Sequence, residues 1–207
     1  MKVKGIAEQI DCLRKIFPGV GSADERLAQQ PFPAGAEGWF AIPRWQKLAS
    51  TYGEALSRIL DAIKQTQRCV IFSSEGQSLQ NLCQSQKTLT ALEVLAGQQK
   101  DYDVLVVPCQ FGMRYKECSV RQARDAMVAC EFGLDAFTVG IMLLTHPERL
   151  QHNNDLWIYC VGDEFLGGED LSDRAPFFCY IGGGVEFDAF LVGAIDGPYG
   201  SASGFLL

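Results

Sequence analysis

Residues 135–146 read DAFTVGIMLLTH, and this stretch decides how the rest of the chain is arranged. Almost every position from Ala136 to Leu144 is apolar, so a helix here has no polar face to turn toward water. Asp135 is a suitable N-cap, and His146 followed by Pro147 is a suitable end. We therefore predict a helix in the centre of the molecule, with the other elements packed around it.

The sequence before this stretch has the periodicity of amphipathic helices. Apolar residues recur at intervals of three and four, and Pro43 stands in the first turn of the clearest pattern. Ser119 and Gln122 have the spacing of a capping box. We predict helices here over about Ile6–Phe17, Pro43–Ile63, Leu79–Gly97 and Ser119–Gly133.

After residue 150 the apolar pattern becomes typical of strands: LWIYCVG (156–162), FFCYI (177–181) and VEFDAFLV (185–192). The last two flank Gly182–Gly184, which predicts an antiparallel hairpin. Earlier strands are predicted at Arg68–Phe72 and at Val104–Pro108, the second buried on both faces. The predicted fold is α+β, with a helical N-terminal two thirds packed on a mainly antiparallel sheet formed largely by the C-terminal third. Residues 1–30 are expected to form a helical arm and residues 31–207 a single domain.

Composition and charge exclude several classes of function. The 207 residues carry a formal net charge of −7, so nucleic acids and anionic membranes are not expected partners. The longest apolar run, residues 136–144, is far shorter than the roughly 20 residues that cross a bilayer, and charged residues interrupt the N-terminus where a signal peptide is apolar. The 8 cysteines are dispersed, which favours reduced thiols and predicts a cytoplasmic location.

Three blocks of sequence carry a resemblance: AEGWFAIPRW with LASTYGEAL (36–45 and 48–56), EFGLDAFTVGIMLLTHPERL (131–150) and YGSASGF (199–205). Together they resemble a family of small uncharacterised bacterial proteins, over about Pro33 to the C-terminus. That family has no assigned activity. The resemblance therefore implies a bacterial protein, but it implies no catalytic residue, cofactor or partner.

An aromatic block at Trp39–Trp45 is the first candidate site. Trp39, Arg44 and Trp45 lie within seven positions and would suit a platform on which a ring-bearing ligand stacks. The alternative is a hydrophobic staple that pins the arm to the helix predicted to begin at Pro43. Both interpretations stay open from the sequence.

Arg114 begins the second candidate site, a local concentration of positive charge. Arg114, Lys116, Arg121 and Arg124 lead into a helix N-terminus, where main-chain N–H groups favour anions, so phosphate or RNA is a conceivable ligand. The alternative is a solvated helix face whose charges pair with acidic neighbours. The overall negative charge favours this alternative.

Two groups of residues are candidates for catalysis. Cys109 follows a buried strand, and with His146 or His152 it would form a nucleophile and base; the alternative is a buried, unreactive thiol. Glu131, Asp135 and His146 bracket the apolar helix and would provide an acid and a base if they met in a pocket. The alternative gives Asp135 and His146 simpler roles at the two helix ends.

No motif for a cofactor or a metal is recognisable. The Walker, dinucleotide, zinc-protease and serine-hydrolase motifs are absent, and the acidic loop DEFLGGEDLSD (163–173) lacks the spacing of a calcium-binding EF-hand. We predict no cofactor and no metal site.

The leading hypothesis for function is a non-enzymatic binding or protein-interaction domain. The aromatic block would contact the ligand. A second copy of the chain or another protein is the expected partner, because the chain ends with a large apolar load at Phe190, Leu191 and Phe205–Leu207. The alternative is a small cytoplasmic enzyme of unknown reaction that uses Cys109 or the Glu131, Asp135 and His146 group.

Overall fold

The computed structural model describes residues 2–66, 69–71, 79–166, 173–194 and 197–207. The helices are α1 (Ile6–Ile16), α2 (Tyr52–Thr66), α3 (Gln86–Gln98), α4 (Val120–Ala126) and α5 (Ala136–Thr145). The strands are β1 (Gly38–Pro43), β2 (Cys69–Ile71), β3 (Leu82–Gln84), β4 (Val104–Gln110), β5 (Glu131–Gly133), β6 (Trp157–Tyr159), β7 (Asp163–Phe165), β8 (Arg174–Ile181), β9 (Gly184–Leu191), β10 (Tyr199–Ser201) and β11 (Ser203–Phe205). The predicted α+β class is confirmed.

One sheet has the strand order β1-β4-β11-β5, with antiparallel neighbours. Strand β4 lies inside it and every one of its residues is buried, as predicted for Val104–Pro108. The register of β1 on β4 runs from Gly38 opposite Cys109 to Pro43 opposite Val104. Trp39 of the aromatic block lies in β1 of this sheet, and Arg44 and Trp45 follow directly after β1.

A second sheet has the order β10-β6-β8-β9-β2. Strands β8 and β9 form the predicted antiparallel hairpin, with Ile181 opposite Gly184. Gly182 and Gly183 make the two-residue turn at φ of 62° and 84°, a conformation that glycine adopts without steric cost. A separate pair, β3 with β7, completes the sheets of the described residues.

Helix α5 lies at the centre, as predicted. All of its residues are buried, and Asp135 caps it by accepting a hydrogen bond from the Thr138 N–H at 2.6 Å. Gly140 lets α2 approach closely, because a β-carbon there would lie 2.5 Å from Ile59 Cγ2. Of the helices in the described part of the chain, none combines the length and apolarity that crossing a bilayer requires.

Helix α1 belongs to the core although it was predicted to form an arm. Ile6, Ile10 and Leu13 are buried in the main hydrophobic cluster. The buried Gln9 side chain donates to Trp39 O at 2.9 Å and accepts from Ala41 N at 2.9 Å, so it satisfies the outer edge of β1. The division of the chain at residue 30 stays a prediction, but α1 is packed as part of the same core.

Two predicted helix boundaries are wrong. The helix expected from Pro43 begins at Tyr52, because Pro43 instead ends the edge strand β1, where a missing N–H costs nothing. The helix expected from Leu79 begins at Gln86, where the Ser85 side chain caps it. The capping box of Ser119 and Gln122 is confirmed, although α4 ends at Ala126.

The predicted arrangement of the sheet also needs correction. Strands β1 to β5 come from the first two thirds of the chain, so the strands are not gathered mainly in the last third. The described strands form two larger sheets and the β3–β7 pair where a single sheet was expected, and β1 and β4 form half of the first sheet. The helices and strands are therefore interleaved along the chain.

Candidate ligand pocket

A pocket of about 120 Å³ opens where the end of β1 meets α3 and the start of α5. Its walls are mostly apolar and include Leu92 and Ala96 of α3 and Phe137 of α5. Gln84, Asp135 and Thr138 are buried polar residues of the same lining, and we call them the polar floor. An apolar cavity with a few convergent polar groups is the usual form of a small-molecule site.

Trp45 stands at the mouth of the pocket. It begins a short 3-10 turn after β1 and is half-buried. Its ring packs against Tyr52 in an edge-on arrangement, with the ring centroids 6.2 Å apart and the planes at 78°. The exposed Glu93 adds a carboxylate at the same opening. A ligand that enters therefore passes a fixed aromatic ring and a negative charge.

Arg44 forms part of the wall, but its hydrogen bonds go to the main chain. Its Nη2 donates to the carbonyls of Ala96 and Gln99, at 3.1 and 2.9 Å, and its Nε donates to that of Tyr102 at 3.1 Å. The first two carbonyls lie at the end of α3, where carbonyls lack partners within the helix and a cation is favourable. Arg44 thus stabilises the shape of the pocket.

Asp135 is the charged group of the polar floor and is only 1 % exposed. One carboxylate oxygen accepts from Thr138 N at 2.6 Å, and the other accepts from the Gln84 amide. Burial raises the pKa of Asp135 above its usual range. The same residue therefore caps a helix and lines the cavity.

A second buried carboxyl group, Asp163, lies behind the floor. It is opposite Gln84 in the β3–β7 pair, and it accepts hydrogen bonds from Ala136 N at 2.7 Å and from the Tyr52 hydroxyl at 2.9 Å. Burial, and then the nearby charge of Asp135, raise the pKa of Asp163 well above its usual range. Two carboxyl groups thus share the N-terminus of α5.

The ion pairs of the described residues include neither Asp135 nor Asp163. Arg124 lies near Asp163, and its Nη2 donates to the main-chain carbonyl of Asp163 at 2.8 Å. The N–H groups at the start of α5 supply only partial positive charge. The floor is therefore a place of negative charge without an ion-pair partner from these parts of the chain.

Replacing Asp163 by asparagine is expected to change how stability depends on pH. A raised folded-state pKa means that Asp163 contributes stability fully below about pH 3.9, and that this contribution is lost as pH rises through the folded-state pKa. The cost of Asp163→Asn should therefore be larger at pH 4.5 than at pH 8. Urea unfolding at the two pH values measures it.

The exposed Asp101 provides the control for this measurement. Asp101→Asn should cost nearly the same at both pH values, because its carboxyl group is already in water. A cost of Asp163→Asn that is larger at pH 8 than at pH 4.5 would contradict a raised pKa for the buried carboxyl group.

The predicted ligand residues divide between several places. Arg44 and Trp45 line the pocket. Trp39 lies elsewhere: it is buried, and its indole N–H donates to Gln30 O at 3.0 Å, which holds the preceding segment against the sheet. Trp39 thus ties the end of the predicted arm to β1, and not to a helix at Pro43 as the staple interpretation expected. The platform interpretation stays a prediction for Trp45, which lines the pocket.

Arg114 and Glu131 form a second network, away from the pocket. Glu131 is 1 % exposed and accepts from the hydroxyls of Tyr115 and Ser203, at 2.7 and 2.5 Å. Arg114 Nε lies 3.3 Å from the same carboxylate. Further along this segment, Arg121 pairs with Asp173 and Arg124 Nε donates to Val161 O, so these cations have partners within the chain.

Cys109 and the histidines do not come together in a hydrogen bond within the described residues. The Cys109 thiol contacts Val107 O at 3.6 Å, and burial, followed by the charges of Asp135 and Glu37, raises its pKa well above the usual range. A nucleophilic thiol needs the opposite shift. His152 is exposed in the loop after α5.

His146 joins the N-terminal segment to the end of α5. Its Nε2 accepts from Lys4 N at 3.0 Å, so the ring proton is on Nδ1 and is donated to Thr145 Oγ1 at 2.9 Å. Burial lowers its pKa. Asp135 and His146 stand at opposite ends of α5, about 16 Å apart at 1.5 Å per residue, so they form no acid–base pair.

The acidic loop is only partly described. Asp163 and Glu164 belong to β7, and Asp173 pairs with Arg121, whereas Glu169 and Asp170 lie outside the described residues. Across the ranges that are described, His, Cys, Asp and Glu side chains form no group of three that could hold a metal ion. Asp163 instead serves the start of α5.

Gln84 and Tyr52 belong to the site although no sequence pattern marks them. Gln84 comes from a three-residue strand, and Tyr52 fits the apolar face of α2. Gly133 and Gly162 lie in close contact, because a β-carbon on Gly133 would be 2.8 Å from Gly162 N. Glycine at both positions therefore allows the segments that precede Asp135 and Asp163 to approach each other.

Comparisons with protein-family models, with curated proteins and with solved structures find no significant match for this chain. The resemblance to a bacterial family therefore stays a prediction. What the site does has to be argued from its geometry.

Proposed function

We propose that the protein is a non-enzymatic binding protein whose ligand is a small ring compound held in this pocket. The observation that carries the proposal is a mostly apolar cavity that is lined by Trp45 and by the buried Asp135. The volume of about 120 Å³ suits a single ring, since an engineered cavity of about 150 Å³ holds benzene.

Binding is favoured over catalysis because the candidate reactive groups have structural tasks. Cys109 has a raised pKa, His146 holds Lys4, and Glu131 holds Tyr115 and Ser203. Asp135 is the one member of these groups that lines the pocket, and there it also caps α5. The enzyme alternative thus has no pair of groups placed for proton transfer among these candidates.

The apolar residues on which the predicted partner protein or second copy depends are only partly exposed. Phe205 of the chain end is only 1 % exposed, because β11 lies inside the first sheet, so this residue does not call for a partner. Phe190 and Leu191 near the end of β9 are exposed, and so is Leu207. Self-association stays a prediction that rests on these three residues.

Titration with toluene tests the pocket, with the indole N–H signals of the tryptophans as the readout. We expect the signal of Trp45 to shift and saturate while those of Trp39 and Trp157 stay in place. Trp39 is bonded to Gln30 O, and Trp157 is stacked on Phe177 at 5.3 Å, so both are internal controls.

A pair of variants on α3 makes the experiment specific. Ala96→Phe fills the cavity and should abolish the Trp45 shift, whereas Val94→Phe, at an exposed position two residues away, should leave it unchanged. The proposal fails if toluene at saturation moves none of the three signals, or if Ala96→Phe binds toluene as well as the unmodified protein does.

A further inference from the structure

The charges around the pocket indicate what sort of ring it accepts. Asp135 and Glu93 are negative lining residues, and Asp163 stands behind the floor. Arg44 is a lining cation, but its Nε and Nη2 are bonded to main-chain carbonyls. A buried charge is normally paired or neutralised, and the ion pairs of the described residues do not include Asp135, so a cationic ligand would pair with it.

The hydrogen bonds of the floor lead to the same conclusion. The Asp135 carboxylate accepts three hydrogen bonds from described residues, from Thr138 N, from the Thr138 side chain and from the Gln84 amide. A carboxylate has about four acceptor positions, so about one remains. A ligand that matches this floor brings an N–H donor, and a charged donor forms the stronger hydrogen bond.

We propose that the pocket is selective for small planar cations, of the class of aromatic amidines and protonated amino-heterocycles, in which one N–H group donates to Asp135 while the ring lies between Trp45 and the apolar wall of α3. This proposal rests on the proposed function, because it takes the pocket to be the ligand site. Trp45 adds a second attraction, since a cation near an indole face is stabilised by the π-electrons.

Three probes of similar size and different charge test the selectivity: benzamidine, toluene and benzoate. The Trp45 indole N–H signal is followed for each at pH 8 and about 0.15 M salt. We expect benzamidine to bind at least about tenfold more tightly than toluene, because a charge-assisted pair in a desolvated site outweighs a neutral contact. Benzoate should bind more weakly than toluene, because the floor repels it.

Asp135→Asn is the decisive variant, with Asp125→Asn as its matched control. Asparagine is as good an N-cap as aspartate, and the Gln84 amide can turn to accept from it, so α5 should keep its start. Asp135→Asn should reduce the preference for benzamidine over toluene to less than about threefold. Asp125 is exposed on α4, and its replacement should keep the tenfold preference.

The unmodified protein provides a second measurement that does not depend on the variant folding. Benzamidine stays protonated between pH 4 and pH 8, whereas lowering the pH protonates Asp135. The affinity for benzamidine should therefore fall toward pH 4, while the affinity for toluene stays nearly constant.

The outcomes separate the two proposals. Equal binding of benzamidine and toluene, or tightest binding of benzoate, would overturn the selectivity and leave the pocket as a binding site for neutral or anionic rings. A tenfold preference that survives in Asp135→Asn and at low pH would also overturn it. Absence of a Trp45 shift with every probe would remove the proposed function itself.

Discussion

Replacing Gly162 by alanine is expected to destabilise the protein by about 4 kcal/mol or more, which is a large part of the 5–15 kcal/mol that usually holds a domain together. The new methyl group would collide with Gly133 O and would lie 2.7 Å from both Leu134 C and Thr88 Oγ1. Two of these atoms belong to the main chain and cannot move without separating β5 from β7. Urea unfolding of the variant measures the loss.

Gly97→Ala is the control for this prediction. Gly97 lies within α3, is exposed, and would meet nothing within 4 Å if it carried a β-carbon. Alanine there should stabilise the protein by about 0.5 to 1 kcal/mol, because it restricts the unfolded chain and favours the helix. A loss of less than about 1 kcal/mol in the free energy of unfolding of Gly162→Ala would contradict the close contact of Gly162 with Gly133 and Leu134.

The sequence predicted the elements whose signals are local. The capping box of Ser119 and Gln122, the N-cap at Asp135 and the Gly182–Gly183 turn are each decided by residues within a few positions of one another. The central helix was predictable because its apolar residues leave no face for water. These elements needed no knowledge of the rest of the chain.

The elements that depend on distant partners were not predictable. GWFAIP is a strand because its register pairs it with β4, about sixty residues later, and Pro43 fits a strand end as well as a helix start. A local pattern cannot choose between the two. The same limit applies to the division of the strands into two sheets.

The pocket was half visible in the sequence. Arg44 and Trp45 stood out by composition, and both line the cavity. Asp135 was assigned a helix end, which is correct, but its second role depends on Gln84 and Asp163, which arrive on separate strands. A glutamine in a short strand has no local signal for such a role, because its importance comes from what folding places opposite it.

Gln99→Leu is expected to lower the free energy of unfolding, because the buried Gln99 side chain bonds to the main chain of β4. No local sequence pattern predicts such a buried glutamine. Gln99 is 3 % exposed, accepts from Val106 N at 2.8 Å and donates to Val106 O at 3.2 Å. It thereby acts as a neighbouring strand for β4, beyond the end of the short β11.

Leucine fills a similar volume but leaves a buried N–H and a buried carbonyl without partners. Each such group costs about 1–3 kcal/mol, so we expect a loss of about 2 to 6 kcal/mol in the free energy of unfolding. Gln99→Glu should also be costly, because a carboxylate still accepts from Val106 N but faces Val106 O with a second acceptor.

Gln98→Leu provides the matched control, since Gln98 is the adjacent residue and is exposed. That substitution should change stability by less than about 0.5 kcal/mol. Equal effects at the two positions would mean that the apolar gain of leucine offsets the lost hydrogen bonds, and that β4 does not depend on the Gln99 side chain. A much larger loss of stability for Gln99→Leu than for Gln98→Leu would show that the buried Gln99 amide stabilises β4, although the pattern of apolar residues gives no sign of it.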